Sequence, residues 1–226
     1  MATPQPRADA TRRAVPPPDR PVAVLVVIFT VEEGGLQVLL IRRSAEPFKD
    51  YWSLPGGLLA EDQSLVEAAT RRLEVETGLR DVFLEQLYTS SGLDERDSIA
   101  VAYWALVDKA TARLDRRDEW QPGWCRVDEL PELAFKNDEV IGYALTRLRN
   151  KLAYSNVAYS LLPPEFSLSQ LQRTYEAILG RGLDKRNFRK RMVSLGILEA
   201  TGRYASEGRH RPAQLYRFRE RRPVVV

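Results

Sequence analysis

Residues 57–79, GLLAEDQSLVEAATRRLEVETGL, decide the fold of this 226-residue chain. Ser64 followed three residues later by Glu67 is a capping-box pattern, which predicts a helix that begins at Leu65. Apolar residues repeat at helical spacing behind this cap and predict a buried stripe: Leu65, Ala68, Ala69, Leu73 and, less strictly, Leu79. Gly78 supplies a permissive C-terminal stop. The stretch is therefore a loop followed by an amphipathic helix.

One face of this helix and the loop before it are the candidate site. Residues 72, 75 and 76 are spaced i, i+3, i+4 and share a face, which carries a guanidinium, an isopropyl group and one carboxylate. The preceding residues 51–57, YWSLPGG, end in two glycines. Glycines let backbone amides approach a phosphate without an intervening side chain.

Loop and helix together resemble the Nudix box, G-x5-E-x7-R-E-U-x-E-E-x-G-U with U aliphatic, and residues 51–57 fit the W-x-L-P-G-G strand end before it. The frame of the box is kept at six positions: Gly57, Arg71, Leu73, Glu76, Gly78 and Leu79. Three of its four acidic positions are replaced, by Gln63, Arg72 and Val75. In active Nudix enzymes these carboxylates hold Mg²⁺, which prefers hard oxygen ligands. The resemblance therefore implies a nucleotide pocket without catalytic residues or metal ligands, and a sensor rather than an enzyme.

Composition restricts the protein class. The chain is 44% hydrophobic and 29% charged, as in an ordinary globular protein. With only Cys125 and His210, it can form neither an internal disulfide framework nor a Cys/His-rich metal site. It contains no apolar run of about 20 residues and no secretory signal pattern, so we expect a cytoplasmic protein that does not bind membranes. No cofactor is expected.

Charge is distributed unevenly along the chain. Residues 151–226 contain 15 basic and 6 acidic residues, whereas residues 1–150 contain the remaining 19 basic and 25 acidic residues. A mildly acidic front joined to a strongly basic back predicts two modules, the second of which faces a polyanion.

The pattern of elements predicts three segments. Residues 1–20 are rich in Pro and Arg and read as a disordered arm. Residues 21–153 alternate β-branched strands with helices, which predicts an α/β/α sandwich around a mixed sheet, the Nudix-like effector domain. Residues 154–226 predict a winged helix-turn-helix DNA-binding domain.

This last domain has a basic second helix. Ser167 caps a first helix that Gly180 ends, and Asp184 can cap a second helix with an inward face of Phe188, Met192 and Leu195. Five residues lie on its outward face and are predicted to contact DNA: Lys185, Arg186, Asn187, Arg189 and Lys190. Strands at 197–202 and 213–218 predict a wing, and its basic tip adds Arg209, His210 and Arg211 to the DNA contacts.

Residues 171–189, LQRTYEAILGRGLDKRNFR, resemble the DNA-binding segment of the Nudix-related transcriptional regulators of NAD metabolism. That resemblance implies a homodimer, a double-stranded palindromic operator, repression of NAD biosynthesis or salvage genes, and ADP-ribose or a related nucleotide as effector. One departure is residues 92–97, GLDERD, where the family commonly has P-x-R-D-P-R. Only Arg96 and its neighbour can be carried over from that motif.

Nine residues are candidates for effector binding: Arg42, Arg43, Trp52, Gly56, Gly57, Arg71, Glu76, Arg96 and Tyr103. Arg42 and Arg43 can pair with phosphate oxygens or be solvated. Trp52 or Tyr103 can stack on adenine, although a core position is the commoner role for such rings. In active Nudix boxes, the arginine that corresponds to Arg71 braces the loop through a salt bridge. In this chain, Glu76 is a candidate partner for Arg71.

Two alternative functions remain open. The first is an active Nudix hydrolase of ADP-ribose-like substrates with an appended nucleic-acid-binding domain. It requires a displaced metal site built from Glu61, Asp62, Glu74 and Glu76. The second is a non-enzymatic Nudix scaffold that binds RNA or protein.

Overall fold

A computed structural model of the chain describes residues 20–32, 35–92, 98–114, 120–205 and 212–225. The predicted N-terminal arm lies outside these residues except for Arg20, which is exposed. Among the described residues, no helix is both long enough and apolar enough to cross a membrane.

The first part of the chain forms a mixed seven-stranded sheet. Its strands are β1 (Val22–Glu32), β2 (Gly35–Arg43), β3 (Trp52–Ser53), β4 (Gly56–Leu58), β5 (Glu85–Ser91), β6 (Ile99–Leu106) and β7 (Trp120–Arg126). Strands β1 and β6 run parallel along eight residue pairs, while the other pairs are antiparallel. The mixed sheet that the sequence predicts is confirmed.

Strands β1 and β2 diverge to form a fork. They pair with each other only between residues 29–32 and 35–38. Beyond that point the first half of β1 pairs with β4, and the second half of β2 pairs with β3. Residues 54–57, called the glycine loop below, therefore cross the fork from β3 to β4. Its two glycines, Gly56 and Gly57, lie on β4 and pair with β1.

Helices cover both faces of this sheet. Helix α1 (Leu65–Thr77) begins at the predicted Ser64–Glu67 capping box and ends at Gly78, whose φ of 67° is left-handed. It packs its buried Ala69 and Leu73 against one face. Helix α2 (Asn137–Lys151) packs on the opposite face. The predicted α/β/α arrangement is confirmed.

The C-terminal part is a winged helix. Helices α3 (Leu168–Leu179) and α4 (Lys185–Ser194) precede a three-stranded sheet of β8 (Phe166–Ser167), β10 (Ala213–Phe218) and β9 (Leu198–Ala205), in that spatial order. The helices and the hairpin agree with the prediction, but β8 was not predicted, since two residues carry no alternation. Two short 3-10 helices, Ala134–Lys136 and Val157–Leu161, precede and follow α2.

Both parts of the chain share one hydrophobic core. Leu171, Tyr175 and Ile178 of α3 belong to the same buried cluster as Phe29 and Val38 of the large sheet. This face of the sheet is therefore covered by α2 together with the first helix of the winged helix.

Candidate functional site

The glycine loop is pressed against β1. The amide of Val26 donates to the carbonyl of Pro55 at 2.8 Å. A Cβ added to Gly56 would lie 2.7 Å from Leu25 Cδ2 and 2.8 Å from the carbonyl oxygen of Val24. The second of these neighbours is backbone and cannot move aside, so only glycine fits at position 56.

Arg72, Gly57 and Glu76 form a compact group where this loop meets α1. Arg72 Nη1 lies 3.7 Å from Glu76 Oε1, and the Glu76 side chain is 0% exposed. A Cβ added to Gly57 would lie 2.5 Å from Arg72 Nη2, so the guanidinium occupies the space that a side chain at 57 would need. The prediction that Arg71 pairs with Glu76 is wrong. Residue 72 stands one helical turn before 76 and shares its face, whereas Arg71 is exposed.

The displaced metal site of the hydrolase alternative is not assembled. Glu61 and Asp62 are exposed ahead of α1, and Glu74 is bonded to Arg80 Nε at 2.5 Å. Within the described ranges, no group of three or more His, Cys, Asp or Glu residues is placed to hold a metal ion. Glu76 is thus a single buried carboxylate beside an arginine, which is a poor donor set for Mg²⁺.

Arg42 and Arg43 contact the β2–β3 connection. Arg42 Nη2 lies 3.5 Å from Asp50 Oδ1. Arg43 donates from Nε to the carbonyl of Pro47 at 2.9 Å, and its guanidinium carbon lies 4.7 Å from the centre of the Phe135 ring. Burial lowers the pKa of Arg43, and the nearby Glu46 opposes that shift. Both side chains hold this loop in place, so a role in phosphate binding stays a prediction.

The two aromatic candidates differ in accessibility. Tyr103 is only 4% exposed and lies in the core between the sheet and α1, and burial raises the pKa of its hydroxyl. It is on β6, an interior strand between β1 and β5, where every second side chain faces α1. Tyr103 thus takes the core position that is the commoner role for such rings, and a contact with adenine stays a prediction. Trp52 is half-buried, and its Cη2 would lie 3.1 Å from a Cβ at Gly123. Arg96 lies outside the described residues.

Helix α2 connects the loop of the fork with the winged helix. At its start, the amide of Leu54 donates to Asn137 Oδ1 at 2.7 Å, and Asn137 is 0% exposed. Near its end, Arg149 Nε donates to the carbonyl of Ile178 in α3 at 3.0 Å. Arg191 Nη2 of α4 donates to the carbonyl of Ala153, just after α2, at 2.8 Å. Sequence reasoning missed these bonds because they join residues 29–83 positions apart.

The predicted basic surface of α4 is present. The side chain of Asp184 accepts from the amide of Asn187 at 2.8 Å and caps the helix. Phe188 and Met192 are buried, and Phe188 contacts the Tyr175 ring edge-on at a centroid distance of 5.3 Å. All five predicted DNA-contacting residues of this helix are exposed: Lys185, Arg186, Asn187, Arg189 and Lys190.

Two polar side chains of α3 hold the turn that leads to α4. Glu176 Oε1 accepts from the amide of Leu183 at 2.8 Å and from Gln172 Nε2 at 2.9 Å. The same Gln172 Nε2 donates to the carbonyl of Leu183 at 2.9 Å. The bond from Gln172, followed by that from Leu183, lowers the pKa of Glu176. These contacts attach the turn at Leu183 to α3. The i, i+4 spacing of Gln172 and Glu176 is the signal by which the sequence could have shown them.

Ion pairs link the two strands of the wing to each other and link β9 to the residue before β8. Arg217 Nη2 lies 3.0 Å from Glu199 Oε2, and Arg203 Nη1 lies 3.1 Å from Glu165 Oε2. The predicted basic tip, which contains Arg209, His210 and Arg211, lies outside the described residues.

Comparison with known proteins identifies both parts of the chain. The NUDIX domain family matches residues 19–145, and the NrtR DNA-binding winged helix domain matches residues 158–218. A relative from Acinetobacter baylyi, described as an ADPR responsive transcriptional repressor NtrR, is 40% identical over 205 residues, covering 87% of this chain and 81% of the relative. The chain belongs to the NrtR family of Nudix-domain proteins.

Solved structures of an NrtR extend the likeness to the whole fold. The crystal structure of Shewanella oneidensis NrtR complexed with a 27mer DNA has a TM-score of 0.76 and 33% identity, and the match covers 88% of this chain and 93% of that one. The NUDIX domain of the same NrtR, in a cocrystal structure with ADP ribose, matches 57% of this chain and 88% of that one at a TM-score of 0.50 and 33% identity. The NrtR-family match therefore extends from the large sheet to the winged helix.

Proposed function

We propose that this NrtR-family chain is a DNA-binding transcriptional repressor, and that its Nudix domain binds ADP-ribose or a related nucleotide as effector. The observation that carries the proposal is helix α4, which buries Phe188 and Met192 and exposes four cations and an asparagine on its other side. A helix with this distribution of charge, second in a helix-turn-helix, is suited to the major groove. The Acinetobacter baylyi relative bears a repressor's name, and the Shewanella oneidensis NrtR was crystallised with DNA and with ADP ribose.

The pocket of this chain binds its nucleotide without hydrolysing it. Metal-assisted cleavage of a diphosphate needs carboxylates that hold the cation against the phosphates. At the corresponding positions the chain has Gln63, Arg72 and Val75, and Glu76 is engaged by Arg72. The Nudix domain thus acts as a sensor.

The working form is a cytoplasmic homodimer on a palindromic operator that controls NAD biosynthesis or salvage genes. One α4 helix covers only a few base pairs, so a repressor of useful specificity presents two of them. In a dimer, their separation must match successive major grooves, about 34–36 Å apart. An effector that favours another separation releases the DNA.

The signal passes from pocket to DNA through helix α2. Asn137 at its start bonds the loop of the fork, and its other end bonds α3 and α4 through Arg149 and Arg191. A ligand that moves the loop therefore changes the position of α2 relative to α3 and α4, the two helices bonded at its other end. By linkage, operator DNA must weaken ADP-ribose binding by the same factor as ADP-ribose weakens DNA binding.

Selection from a random pool of duplex DNA tests the first half of the proposal. The full-length chain is expected to enrich a palindromic site, and fluorescence anisotropy with that duplex should show tighter binding than with single-stranded RNA of the same length. If the pool yields no site, or if the RNA binds as tightly, the chain is not a sequence-specific DNA-binding protein.

Incubation with ADP-ribose and Mg²⁺ tests the second half. We expect no release of AMP above that of a buffer blank. Turnover at rates ordinary for enzymes, about 1–1000 s⁻¹, would identify the chain as a hydrolase with an appended DNA-binding domain.

A further inference from the structure

The Mg²⁺ site that the Nudix fold implies does not fit the residues of this chain. One acidic position of the box is Arg72, and a second, Val75, is 45% exposed and has no polar atom on its side chain. The single remaining carboxylate, that of Glu76, is fully buried and lies 3.7 Å from the Arg72 guanidinium. A buried carboxylate needs a compensating charge, and here an arginine supplies it.

We propose that the Arg72 guanidinium takes the place of the metal ion and binds the diphosphate of the nucleotide directly. This inference rests on the proposed effector function. The guanidinium lies between the glycine loop and the buried carboxylate, as its closeness to Gly57 and Glu76 shows. Its side chain is 32% exposed, so part of it faces solvent at the mouth of the loop.

The chemistry of arginine suits this role. A guanidinium is always charged and carries five donors in a planar fork that matches phosphate oxygens. Its Nη1 lies 3.7 Å from Glu76 Oε1 and its Nη2 lies beside Gly57, so the negative charge of Glu76 favours this position of the guanidinium. Arg72 thus supplies positive charge and donors to the diphosphate, but it cannot generate the nucleophilic hydroxide that a metal ion supplies. The same substitution that removes hydrolysis therefore retains binding.

Gly57 is part of the same arrangement. A Cβ at position 57 would lie 2.5 Å from Arg72 Nη2, closer than a real contact allows. The absent side chain leaves room for the guanidinium beside the loop, so the glycine of the box here accommodates a side chain rather than a metal.

Calorimetry on the full-length protein tests this proposal. With ADP-ribose, the affinity of the unmodified chain is expected to be the same within twofold in EDTA and in excess Mg²⁺. Arg72→Gln should weaken binding at least tenfold under both conditions. Arg72→Glu should bind weakly in EDTA and recover in Mg²⁺. The matched control is Arg80→Gln, which removes the same charge just beyond α1 from a side chain that is 79% exposed, and it should leave the affinity unchanged.

A double variant separates ligand contact from structural support. If Arg72 only neutralises Glu76, then Arg72→Gln combined with Glu76→Gln leaves no buried charge and should bind like the unmodified chain. If Arg72 contacts the diphosphate, the double variant stays at least tenfold weaker. Binding that needs Mg²⁺ in the unmodified chain, or full affinity in the double variant, would overturn the inference. An unmodified chain that does not bind ADP-ribose under any condition would instead contradict the proposed effector.

Discussion

The bond between Asn137 and the loop of the fork offers a sharp test of how pocket and winged helix are joined. Leu54 donates its amide to Asn137 Oδ1 at 2.7 Å, and both groups are buried. Asn137→Ala removes the acceptor and leaves a buried N–H without its partner, which costs about 1–3 kcal/mol. For a chain of this size, about 2 kcal/mol corresponds to a fall in Tm of roughly 4–8 °C.

The same variant should also lose the coupling between effector and DNA, an effect measured separately from stability. Because Asn137 attaches α2 to the loop, we expect the alanine variant to bind DNA normally while ADP-ribose releases it less effectively. Coupling energies are typically about 1–3 kcal/mol, so a coupling factor of about 5–150 in the unmodified protein should fall towards one.

Urea denaturation and anisotropy titration, with and without ADP-ribose, measure the two effects. Asn150→Ala is the matched control, since that residue is exposed on the same helix and its replacement should change stability by less than about 0.5 kcal/mol. An Asn137→Ala protein with unchanged stability would show that the bond contributes nothing. One with lower stability but full coupling would show that the signal travels by another route.

Three further results are expected. Arg186→Ala should cost about 1–3 kcal/mol of operator affinity and relax one base position, whereas Lys185→Ala should weaken all sequences alike and reduce the salt slope by about one; equal losses on operator and random DNA for both variants would contradict this division. Burial raises the pKa of Tyr175 to about 12. The contribution of the neutral Tyr175 to stability is therefore present below pH 10 and is lost as the pH rises towards 12, by about 2.7 kcal/mol. Urea denaturation across this range should show a smaller loss of stability in Tyr175→Phe than in the unmodified chain, and an identical loss would refute the assignment. Gly57→Ala should displace the tip of Arg72, a flexible group, and weaken ADP-ribose binding at least fivefold in calorimetry with little change in Tm; unchanged affinity would separate the glycine from the pocket.

Local patterns in the sequence predicted the elements that depend on near neighbours. The Ser64–Glu67 box and Gly78 marked both ends of α1, and the alternation of Phe188 and Met192 with cations marked the inner and outer faces of α4. Capping and periodicity are properties of a few consecutive residues, so a single sequence reveals them.

Contacts between distant segments could not be obtained this way. Asn137 is an unremarkable polar residue in the sequence, and only the fold brings it to Leu54, 83 positions away. The sequence offered Tyr103 as a stacking candidate, and only the fold shows that its strand is an interior one, which buries alternate side chains under α1. The sequence showed Arg72 in place of an acidic residue of the box, but its closeness to Gly57 depends on how the loop crosses the fork.

The most direct test of the repressor account is a competition between effector and operator. ADP-ribose and NAD are titrated separately into a preformed complex of the full-length chain with its selected duplex, and release is followed by anisotropy. We predict that ADP-ribose lowers operator affinity, that operator lowers ADP-ribose affinity by the same factor, and that NAD, which lacks the exposed terminal ribose, has a smaller effect. Equal effects of the two nucleotides, or no effect of either, would contradict the account of an ADP-ribose-sensing repressor.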